Sequence, residues 1–470
     1  MKTAELQATG ASELDGGAPL TVLKKGCAVQ HAFEAATRSD TTTKNSHRPR
    51  AIRIGLLGLG TVGQAVARLS TSALPAFVRH GLRPIINSAL VRDGSKTRDR
   101  GPNVFLVTRD PEVFFRQRLD VIIEVLGGIE PARSYIERSL AAGTPVVTAN
   151  KSVLAAHGPA LADLARCHGT ELACEASAVA GVPFLTLLKR RPCCGDITRI
   201  VGILNGTSNF VLSRIAEMGC TLDTALREAQ HCGFAEPDPA CDLNGRDAAE
   251  KLIVILQHLG IRGVRLDDIE TRGLSDIGPA DLARAATLGG AIKPVAYAEI
   301  DNNRIATFVG PAFVASGSPL HDVDRVDNAI CLSGPHVGPL VLRGPGAGPD
   351  ITAATLLDDV AELIATRRSD SSHFHKSQAE VATWWKVVTP PTRWFLRCVL
   401  SDTTPFQQVA DCLKSHGIET AGLVGAPSGH AERSVYLTTR QTSRRELEAA
   451  LHVLKEKLRC TVLPLRILPS

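Results

Sequence analysis

A glycine-rich turn between an apolar run and a helical pattern constrains the fold more than any other feature of this chain. The run Ile52–Leu57 is typical of a buried strand, and residues 64–69 have the pattern of a helix. The turn between them has the GxGxxG spacing, which lets a pyrophosphate approach the backbone at a helix N-terminus. This context predicts an α/β fold with a Rossmann-type, doubly wound nucleotide domain, and a glycine turn without a ligand is the alternative. The predicted cofactor contacts are Gly58, Leu59, Gly60, Thr61, Val62 and Gly63.

Basic residues follow the second predicted strand, residues 85–91. Arg92 comes directly after this strand, and Lys96 lies four residues further on. An acidic residue at this position usually binds the ribose 2′-hydroxyl of NAD, whereas a guanidinium suits the 2′-phosphate of NADP. We therefore expect NADP, with Arg92 and Lys96 near its phosphate. Asp93 keeps NAD possible, and ordinary loop charges are the third interpretation.

Lys151 stands at the carboxyl end of another predicted strand, residues 145–151. Ligands of open α/β sheets bind beyond the carboxyl ends of the strands. Lys151 is therefore expected to face the crevice between cofactor and substrate, although a loop lysine without a role would give the same pattern. The next helix is predicted to begin at Pro159, because proline is favoured in the first turn, and to end near His168.

An acid-rich loop leads into a predicted helix, residues 246–259. Asp247 and Lys251 are four residues apart on this helix, so one turn places them on the same side. Glu236, Asp238 and Asp242 lie just upstream on the loop. A lysine among carboxylates on a rigid helix suits a small zwitterionic substrate and the transfer of one proton. An ordinary surface ion pair is the alternative on spacing alone.

Small residues dominate the loop that follows a predicted strand at residues 172–174. It begins at Glu175 and runs to Pro183 with almost no side-chain bulk, so backbone carbonyls can turn inward. Together with Glu175, these carbonyls could coordinate a hard monovalent cation. Tight packing of small residues explains the composition equally well.

Composition excludes several classes of protein. The 470 residues carry a formal charge of +5 without a long basic run, which argues against nucleic acid as a partner. No apolar run approaches the ~20 residues that a membrane-spanning helix needs. The 12 cysteines form no CxxC pair, so we interpret them as reduced thiols of a cytoplasmic protein. His373 and His375 could ligate a metal, but they fall in a polar stretch that has the composition of a linker.

The remaining pattern divides the chain into further segments. Residues 1–50 are predicted to be a disordered extension, residues 51–150 the nucleotide domain, and residues 151–334 an α+β domain for substrate binding and dimerisation. A linker is expected at residues 367–391. Residues 392–470 have the β-α-β-β-α-β order of a ferredoxin-like domain.

Seven segments over about residues 50–366 stand out: GLLGLGTVGQAV (55–66), EVLGGIEPA (124–132), VVTANK (146–151), EASAVAGVP (175–183), GILNGTSNF (202–210), GFAEPDPACDLNGRDAAEK (233–251) and GPGAG (344–348). Together, in family order and with family spacing, they resemble homoserine dehydrogenase. The resemblance implies NAD(P)-dependent interconversion of L-homoserine and L-aspartate 4-semialdehyde in threonine, methionine and isoleucine biosynthesis. It also implies a homodimer or homotetramer.

The resemblance assigns roles to individual residues. Lys251 becomes the acid/base lysine with Asp247 as its neighbour, and Lys151 lies between nicotinamide and substrate. Glu236 grips the amino group of the substrate, and Asp242 is a second substrate residue. The resemblance also implies a site for Na⁺ or K⁺, whose ligands are Glu175 and the backbone carbonyls of Ala178, Ala180 and Val182. It further implies that the chain returns to the nucleotide domain at about residues 335–366, where Gly346 contacts the cofactor.

The C-terminal segment is similar to the ACT-type regulatory domain of the longer family members. In ACT domains a glycine opens the effector loop, and this chain has none directly after Pro405. Binding of threonine therefore stays open. Two other interpretations also stay open: another amino-acid dehydrogenase on the same scaffold, and a nucleotide-binding sensor that signals through its C-terminal domain.

Overall fold

The computed structural model describes residues 49–72, 74–98, 103–190, 197–366, 385–400, 405–425 and 433–469. Most of the predicted extension and of the predicted linker, including His373 and His375, lies outside the described residues. Within these ranges no helix is long and apolar enough to cross a membrane.

Within the described ranges, six parallel strands form the first sheet. Their bounds are β1 Arg50–Leu57, β2 Leu82–Leu90, β3 Val104–Thr108, β4 Val121–Glu124, β5 Val146–Thr148 and β6 Leu172–Ala173. The order is β3-β2-β1-β4-β5-β6, so the direction of winding reverses between β1 and β4. This order is that of a doubly wound dinucleotide-binding sheet, with its crevice at the carboxyl ends of β1 and β4. The predicted parallel nucleotide domain is confirmed.

Helices cover both faces of this sheet. The first five are α1 Thr61–Leu69, α2 Pro75–Arg79, α3 Pro111–Phe115, α4 Ala132–Ala141 and α5 Lys151–Cys167. A helix from much later in the chain, α12 Pro349–Thr366, joins them. Its buried Leu356, Leu357 and Val360 belong to the same apolar core as Ile52 and Ile54 of β1. The chain therefore returns to the first sheet after it has built the second.

Helix α5 differs from its prediction. It begins at Lys151, eight residues before the expected start, and Pro159 lies inside it. Pro159 has no N–H and leaves the carbonyl of Ala155 without its helical donor. The side-chain amide of Gln257, on a neighbouring helix, lies 3.4 Å from this carbonyl and donates to it. A proline that would weaken an isolated helix is accommodated because a second helix supplies the missing donor.

The middle of the chain builds a mixed sheet covered by helices. Its strands are β7 Arg199–Ile203, β8 Glu270–Thr271, β9 Gly290–Asp301, β10 Arg304–Ala315, β11 Asp327–Ser333 and β12 Leu340–Pro345. Its helices are α6 Phe184–Arg190, α7 Gly206–Met218, α8 Leu222–His231, α9 Ala240–Leu243, α10 Arg246–His258 and α11 Pro279–Thr287. Strands β9 and β10 pair along their full length as an antiparallel hairpin.

The C-terminal segment continues this second sheet. Its elements are β13 Lys386–Val387, β14 Arg393–Leu400, α13 Phe406–Ser415, β15 Thr420–Gly425, β16 Arg433–Thr439, α14 Arg444–Leu458 and β17 Thr461–Ile467. From β14 onward the elements follow the predicted β-α-β-β-α-β order. Among the described residues the sheet has eleven strands in the order β12-β11-β7-β9-β10-β17-β14-β16-β15, with β8 and β13 beside β10. Strand β17 pairs in parallel with β10, so the C-terminal unit is joined to the middle of the molecule.

Candidate active site

Helix α10 carries the predicted pair of ionisable residues. Gly245 precedes it with φ of 86°, a left-handed conformation that suits glycine, and Asp247 lies in its first turn, where the helix dipole favours negative charge. The Nζ of Lys251 is 2.9 Å from Oδ2 of Asp247. It also donates to the carbonyl of Leu204, directly after β7, at 2.7 Å. The pair predicted from spacing is thus largely buried and tied to a second element.

Lys151 approaches the same carboxylate from the nucleotide domain. As the first residue of α5, it places its Nζ 3.2 Å from Oδ1 of Asp247. The two lysines therefore share one carboxylate that is only 8% exposed. An ordinary surface ion pair does not have this geometry.

Asn205 is a site residue that the sequence analysis missed. Its Oδ1 accepts from the backbone N–H of Ser208 and caps α7, while its Nδ2 donates to Asp242 at 2.7 Å and to Asp247 at 2.8 Å. The available signal was an asparagine directly before a helix, a favoured N-cap residue. The additional bonds to two carboxylates depend on tertiary structure.

Burial and neighbouring charges shift the pKa values of Asp247, Lys151 and Asp242. Burial would raise the pKa of Asp247, but Lys251 and Lys151 outweigh it and lower that pKa to about 2. Burial would likewise lower the pKa of Lys151, yet Asp247 keeps it above the usual value. The pKa of Asp242 is raised by its burial and by the neighbouring Asp247. An ionised Asp247 with a protonated Lys151 is therefore the state that the surroundings favour.

The glycine-rich turn forms one wall of a cavity of about 570 Å³. A Cβ at Gly63 would lie 2.2 Å from the carbonyl of Gly58, and one at Gly58 would lie 2.8 Å from that of Val125, so these two glycines permit close backbone packing. A Cβ at Gly60 would meet nothing within 4 Å. Gly60 faces open space, which suits the approach of a ligand to the backbone.

Four basic residues line this cavity. Arg92 and Lys96 were predicted, whereas Arg98 and Arg109 were missed because they lie further along the chain than the residues that directly follow β2. The Nε of Arg98 donates to the carbonyl of Leu59 at 3.1 Å, which holds this side chain against the glycine-rich turn. The lining also includes the carboxylates of Asp93 and Glu130, so its four basic residues outnumber two acidic ones, which favours a phosphate-bearing ligand.

Glu124 is another residue that the sequence analysis missed. It ends β4, is fully buried, and accepts from the N–H of Leu126 at 2.7 Å and from the hydroxyl of Thr148 at 2.5 Å. Asn150, which caps α5, is a further polar neighbour, with its Nδ2 3.3 Å from Oε1 of Glu124. Burial raises the pKa of the Glu124 carboxyl. This network fixes the start of the helix that carries Lys151.

Glu236 stands apart from the cluster. It is exposed on the loop between α8 and α9, and its backbone carbonyl accepts from Gln230 at 3.2 Å. For the described residues, no hydrogen bond or ion pair joins its carboxylate to Lys151 or Lys251. Asp242, the other predicted substrate residue, is linked to Asp247 by the side-chain amide of Asn205, which donates to both carboxylates.

The small-residue loop is buried against the GPGAG turn. Both oxygens of Glu175 accept backbone N–H groups at the start of α6, from Leu185 at 2.8 Å and Thr186 at 2.6 Å. The carbonyl of Ala180 accepts from the hydroxyl of Thr355 at 2.6 Å. The N–H of Ala180 donates to the carbonyl of Gly346 at 3.2 Å.

Gly346, predicted as a cofactor contact, lies against this loop. A Cβ there would be 2.2 Å from the side chain of Asn328, so only glycine fits. The lining of the cavity at the glycine-rich turn does not include it. In the described residues, no group of three or more His, Cys, Asp or Glu side chains could hold a metal.

Most of the chain matches known homoserine dehydrogenases. A family model described as "Homoserine dehydrogenase, NAD binding domain" matches residues 58–175, and one described as "Homoserine dehydrogenase" matches residues 183–361. The homoserine dehydrogenase of Bacillus subtilis is 32% identical over 419 residues, which cover 87% of this chain and 95% of the relative.

Solved structures share the same architecture. The crystal structure of a homoserine dehydrogenase from Thiobacillus denitrificans has a TM-score of 0.80 at 29% identity and covers 89% of this chain and 98% of its own. A hyperthermophilic archaeal homoserine dehydrogenase in complex with NADPH has a TM-score of 0.56 at 24% identity, covers 67% of this chain and 98% of its own, and supports the fold alone. The chain belongs to the homoserine dehydrogenase family, oxidoreductases with a nicotinamide dinucleotide-binding domain.

Proposed function

We propose that this chain interconverts L-homoserine and L-aspartate 4-semialdehyde with Lys251 as general acid and base. The observation that carries the assignment is the shared contact of Lys251 and Lys151 with Asp247, in which Lys151 comes from the start of α5 and Lys251 from α10. A nicotinamide dinucleotide supplies or accepts the hydride when it is bound. The protein must then hold the substrate, stabilise charge on its oxygen and move one proton.

Lys251 is suited to the proton transfer. An ammonium has three donors, and Lys251 uses two of them on Asp247 and the carbonyl of Leu204. Its third donor can reach a substrate oxygen that gains negative charge during reduction, stabilise that charge and transfer a proton. In the oxidative direction the same nitrogen acts as base, which is favoured at alkaline pH.

Lys151 and the acidic residues orient the substrate. Lys151 comes from the nucleotide domain, so its ammonium can bridge the cofactor side and the substrate side of the crevice. Asp242 and Glu236 provide negative charge for the substrate ammonium. Glu236 reaches it if its exposed loop closes over the bound substrate.

We propose NADP as the preferred dinucleotide, with NAD as the alternative. Arg92 and Lys96 lie in the lining of the cavity at the glycine-rich turn, and Arg98 and Arg109 add positive charge to the same lining. The 2′-phosphate of NADP would find positive charge there, whereas NAD has no phosphate at this position.

A bound monovalent cation is compatible with the small-residue loop. Its predicted ligands Glu175, Ala178, Ala180 and Val182 are all buried, and oxygen is the donor that a hard cation prefers. The carbonyls of Ala180 and Val182 each accept one hydrogen bond, from Thr355 and Phe184, so each can still offer a lone pair. Na⁺ or K⁺ would brace the contact between this loop and the GPGAG turn.

The C-terminal unit is proposed to be an ACT-like regulatory domain of a homodimer or homotetramer. Its strands run in the order β17-β14-β16-β15, and its link to β10 gives it a route to the catalytic sheet. We further propose a cytoplasmic enzyme of threonine, methionine and isoleucine biosynthesis. The nine cysteines among the described residues are free thiols, which suits a reducing compartment.

Steady-state assays test the proposed function. The wild-type protein should oxidise L-homoserine with NADP faster than with NAD at equal cofactor concentration. Lys251→Ala should lose about 10²- to 10⁴-fold in kcat, the usual contribution of general acid–base catalysis, while NADPH titrated by its fluorescence still binds. Full turnover by this variant would remove Lys251 from the mechanism. NADPH binding by the wild type without any turnover of homoserine would favour a nucleotide-binding sensor instead.

A further inference from the structure

A buried carboxylate beside the lysine pair has no part in the mechanism above. Glu250 precedes Lys251 on α10 and is only 7% exposed. Its Oε2 accepts from the hydroxyl of Ser152 at 2.7 Å. Ser152 in turn follows Lys151 on α5. One hydrogen bond therefore connects the chain neighbours of the two lysines.

The other oxygen of Glu250 faces outward. The Nε of Arg246, one turn earlier on α10, donates to Oε1 at 3.2 Å. The guanidinium of Arg246 is about half exposed, whereas the Glu250 carboxylate is buried, so Arg246 lies over the carboxylate at the surface. With both oxygens engaged, the negative charge of Glu250 is held at the contact between the two helices.

The charge of Glu250 acts on Lys151. Four ionisable groups influence or adjoin the Lys151 ammonium: Asp247 and Glu250 of α10, Asp242 of α9, and Lys251, which shares Asp247. The three carboxylates raise the pKa of Lys151, with Asp247 the strongest of them, against the lowering effect of burial. Glu250 also makes a hydrogen bond to Ser152 of α5, whereas Asp247 contacts α5 through Lys151 itself.

A second contact between the same helices lies two turns further along. Gln257 is seven residues after Glu250, on the same side of α10, and donates to the carbonyl of Ala155 that Pro159 leaves open. A Cβ at Gly158 would lie 2.3 Å from Oε1 of Gln257, so α5 and α10 approach closely here. The two contacts, at residues 250 and 257, set the relative position of the helices that carry Lys151 and Lys251.

We propose that Glu250 is a positioning residue of homoserine oxidation and semialdehyde reduction, which fixes α5 against α10 and holds a negative charge beside Lys151. The inference rests on the proposed roles of Lys151 and Lys251. Glu250 contacts neither substrate nor cofactor in this scheme; it acts through Ser152 and through its charge. Its two effects can be separated, because one needs the hydrogen bond and the other needs the charge.

Three variants make that separation. Glu250→Gln keeps an oxygen for Ser152 but removes the charge, Ser152→Ala keeps the charge but removes the hydrogen bond, and Glu250→Asp keeps the charge on a shorter side chain. The measurement is the pH dependence of kcat/KM for semialdehyde reduction, which is expected to fall at alkaline pH as Lys151 loses its proton. Glu448→Gln is the matched control, because Glu448 forms an i, i+4 pair with Arg444 on a helix of the C-terminal unit.

Glu250→Gln should move the alkaline fall of kcat/KM to lower pH by ~0.5 unit, as expected for loss of one neighbouring charge. Glu250→Asp and Glu448→Gln should leave the position of this fall unchanged. Ser152→Ala should reduce kcat by roughly threefold, about 0.7 kcal/mol in activation free energy, without moving it. If Glu250 only supports the fold, Glu250→Gln should lower the melting temperature but leave the pH profile of kcat/KM unchanged. That result would overturn the inference.

Lys151→Ala separates this inference from the proposed function. If Lys151→Ala retains wild-type kcat and KM, the proposed role of Lys151 is wrong. The proposed role of Glu250, which depends on it, is then wrong as well. If Lys151→Ala is impaired while Glu250→Gln and Ser152→Ala both behave like the wild type, the lysine role stands and the role of Glu250 is wrong. Should Glu250→Gln fail to fold, the kcat of Ser152→Ala decides alone, since its wild-type value would refute the helix contact.

Discussion

At the scale of single residues, Asp247 determines the charge state of the site. A carboxylate that is 8% exposed would normally be costly to ionise, because burial disfavours the charged form. Here two ammonium groups and the amide of Asn205 surround it, and the pKa of Asp247 falls to about 2. The same carboxylate raises the pKa of Lys151, so Asp247 and Lys151 each favour the charged form of the other.

This depressed pKa makes a prediction about acid stability. A carboxyl whose pKa is lower in the folded state than in the unfolded state stabilises the fold above its unfolded value, near 3.8, and loses that contribution as pH falls through its folded value, about 2. Asp247 should therefore contribute about 2 kcal/mol to unfolding free energy at pH 5 that disappears by pH 2.

Asp247→Asn removes this term and provides the comparison. Urea unfolding of wild type and variant between pH 5 and pH 2 should show a smaller decline for the variant, by about 2 kcal/mol. The variant is also expected to be less stable at neutral pH, because two ammonium groups lose their counter-ion. Parallel curves for the two proteins would mean that Asp247 titrates alike in the folded and unfolded states, against the geometry described above.

At the scale of secondary-structure elements, one side chain at the N-terminus of α7 both caps the helix and belongs to the candidate active site. Asn205 caps this helix through Oδ1 and binds two carboxylates through Nδ2. Both functions use one side chain, and only an amide offers an acceptor and a donor in this arrangement. An aspartate would cap the helix equally well but would place a third carboxylate against Asp242 and Asp247.

Two substitutions at Asn205 distinguish capping from site organisation. Asn205→Ala loses the cap and should destabilise the protein by about 1–2 kcal/mol in urea unfolding. Asn205→Asp keeps the cap, so like-charge repulsion with Asp242 and Asp247 becomes its main defect, and this variant should lose more kcat than Asn205→Ala. If Asn205→Asp matches the wild type in kcat, the contacts of Nδ2 have no catalytic importance.

Sequence patterns predicted the elements whose determinants are local. The turn at Gly58–Gly63 and the spacing of Asp247 and Lys251 predicted the parallel sheet and the ion pair on α10. The start of α5 was wrong, because Pro159 is normally a first-turn residue and its compensation comes from Gln257, 98 positions away in sequence. Asn205 and Glu124 were missed for the same reason: their partners are set by tertiary contacts.

At the scale of the whole molecule, polar contacts join the C-terminal unit to the catalytic sheet. Glu270 of β8 accepts from Arg466 at 2.6 Å and from Arg444 at 2.9 Å. Shortly after Glu270, the N–H of Leu274 donates to the carbonyl of Leu243, at the end of the helix that carries Asp242. A short segment of backbone thus connects the C-terminal arginines with the vicinity of the substrate residues.

The most buried of these contacts supports a prediction about cohesion. The Nη1 of Arg397, on β14, lies 2.6 Å from Oδ2 of Asp281, whose side chain is fully buried on α11. Arg397→Ala would leave this carboxylate buried without its counter-ion, which typically costs about 3–5 kcal/mol. Burial already raises the pKa of Asp281, so part of the cost is relieved by protonation, and a loss of about 2–3 kcal/mol in unfolding free energy is expected.

Arg440→Ala is the matched control, because Arg440 pairs with Glu419 at 3.2 Å with both side chains more than two-thirds exposed. Such a pair should contribute less than about 1 kcal/mol. Urea unfolding at pH 7 and pH 5 measures both variants, and Arg397→Ala should recover some stability at the lower pH as Asp281 takes up its proton. Equal, small losses for the two variants at both pH values would show that the Arg397–Asp281 contact does not stabilise the packing of the C-terminal unit against α11.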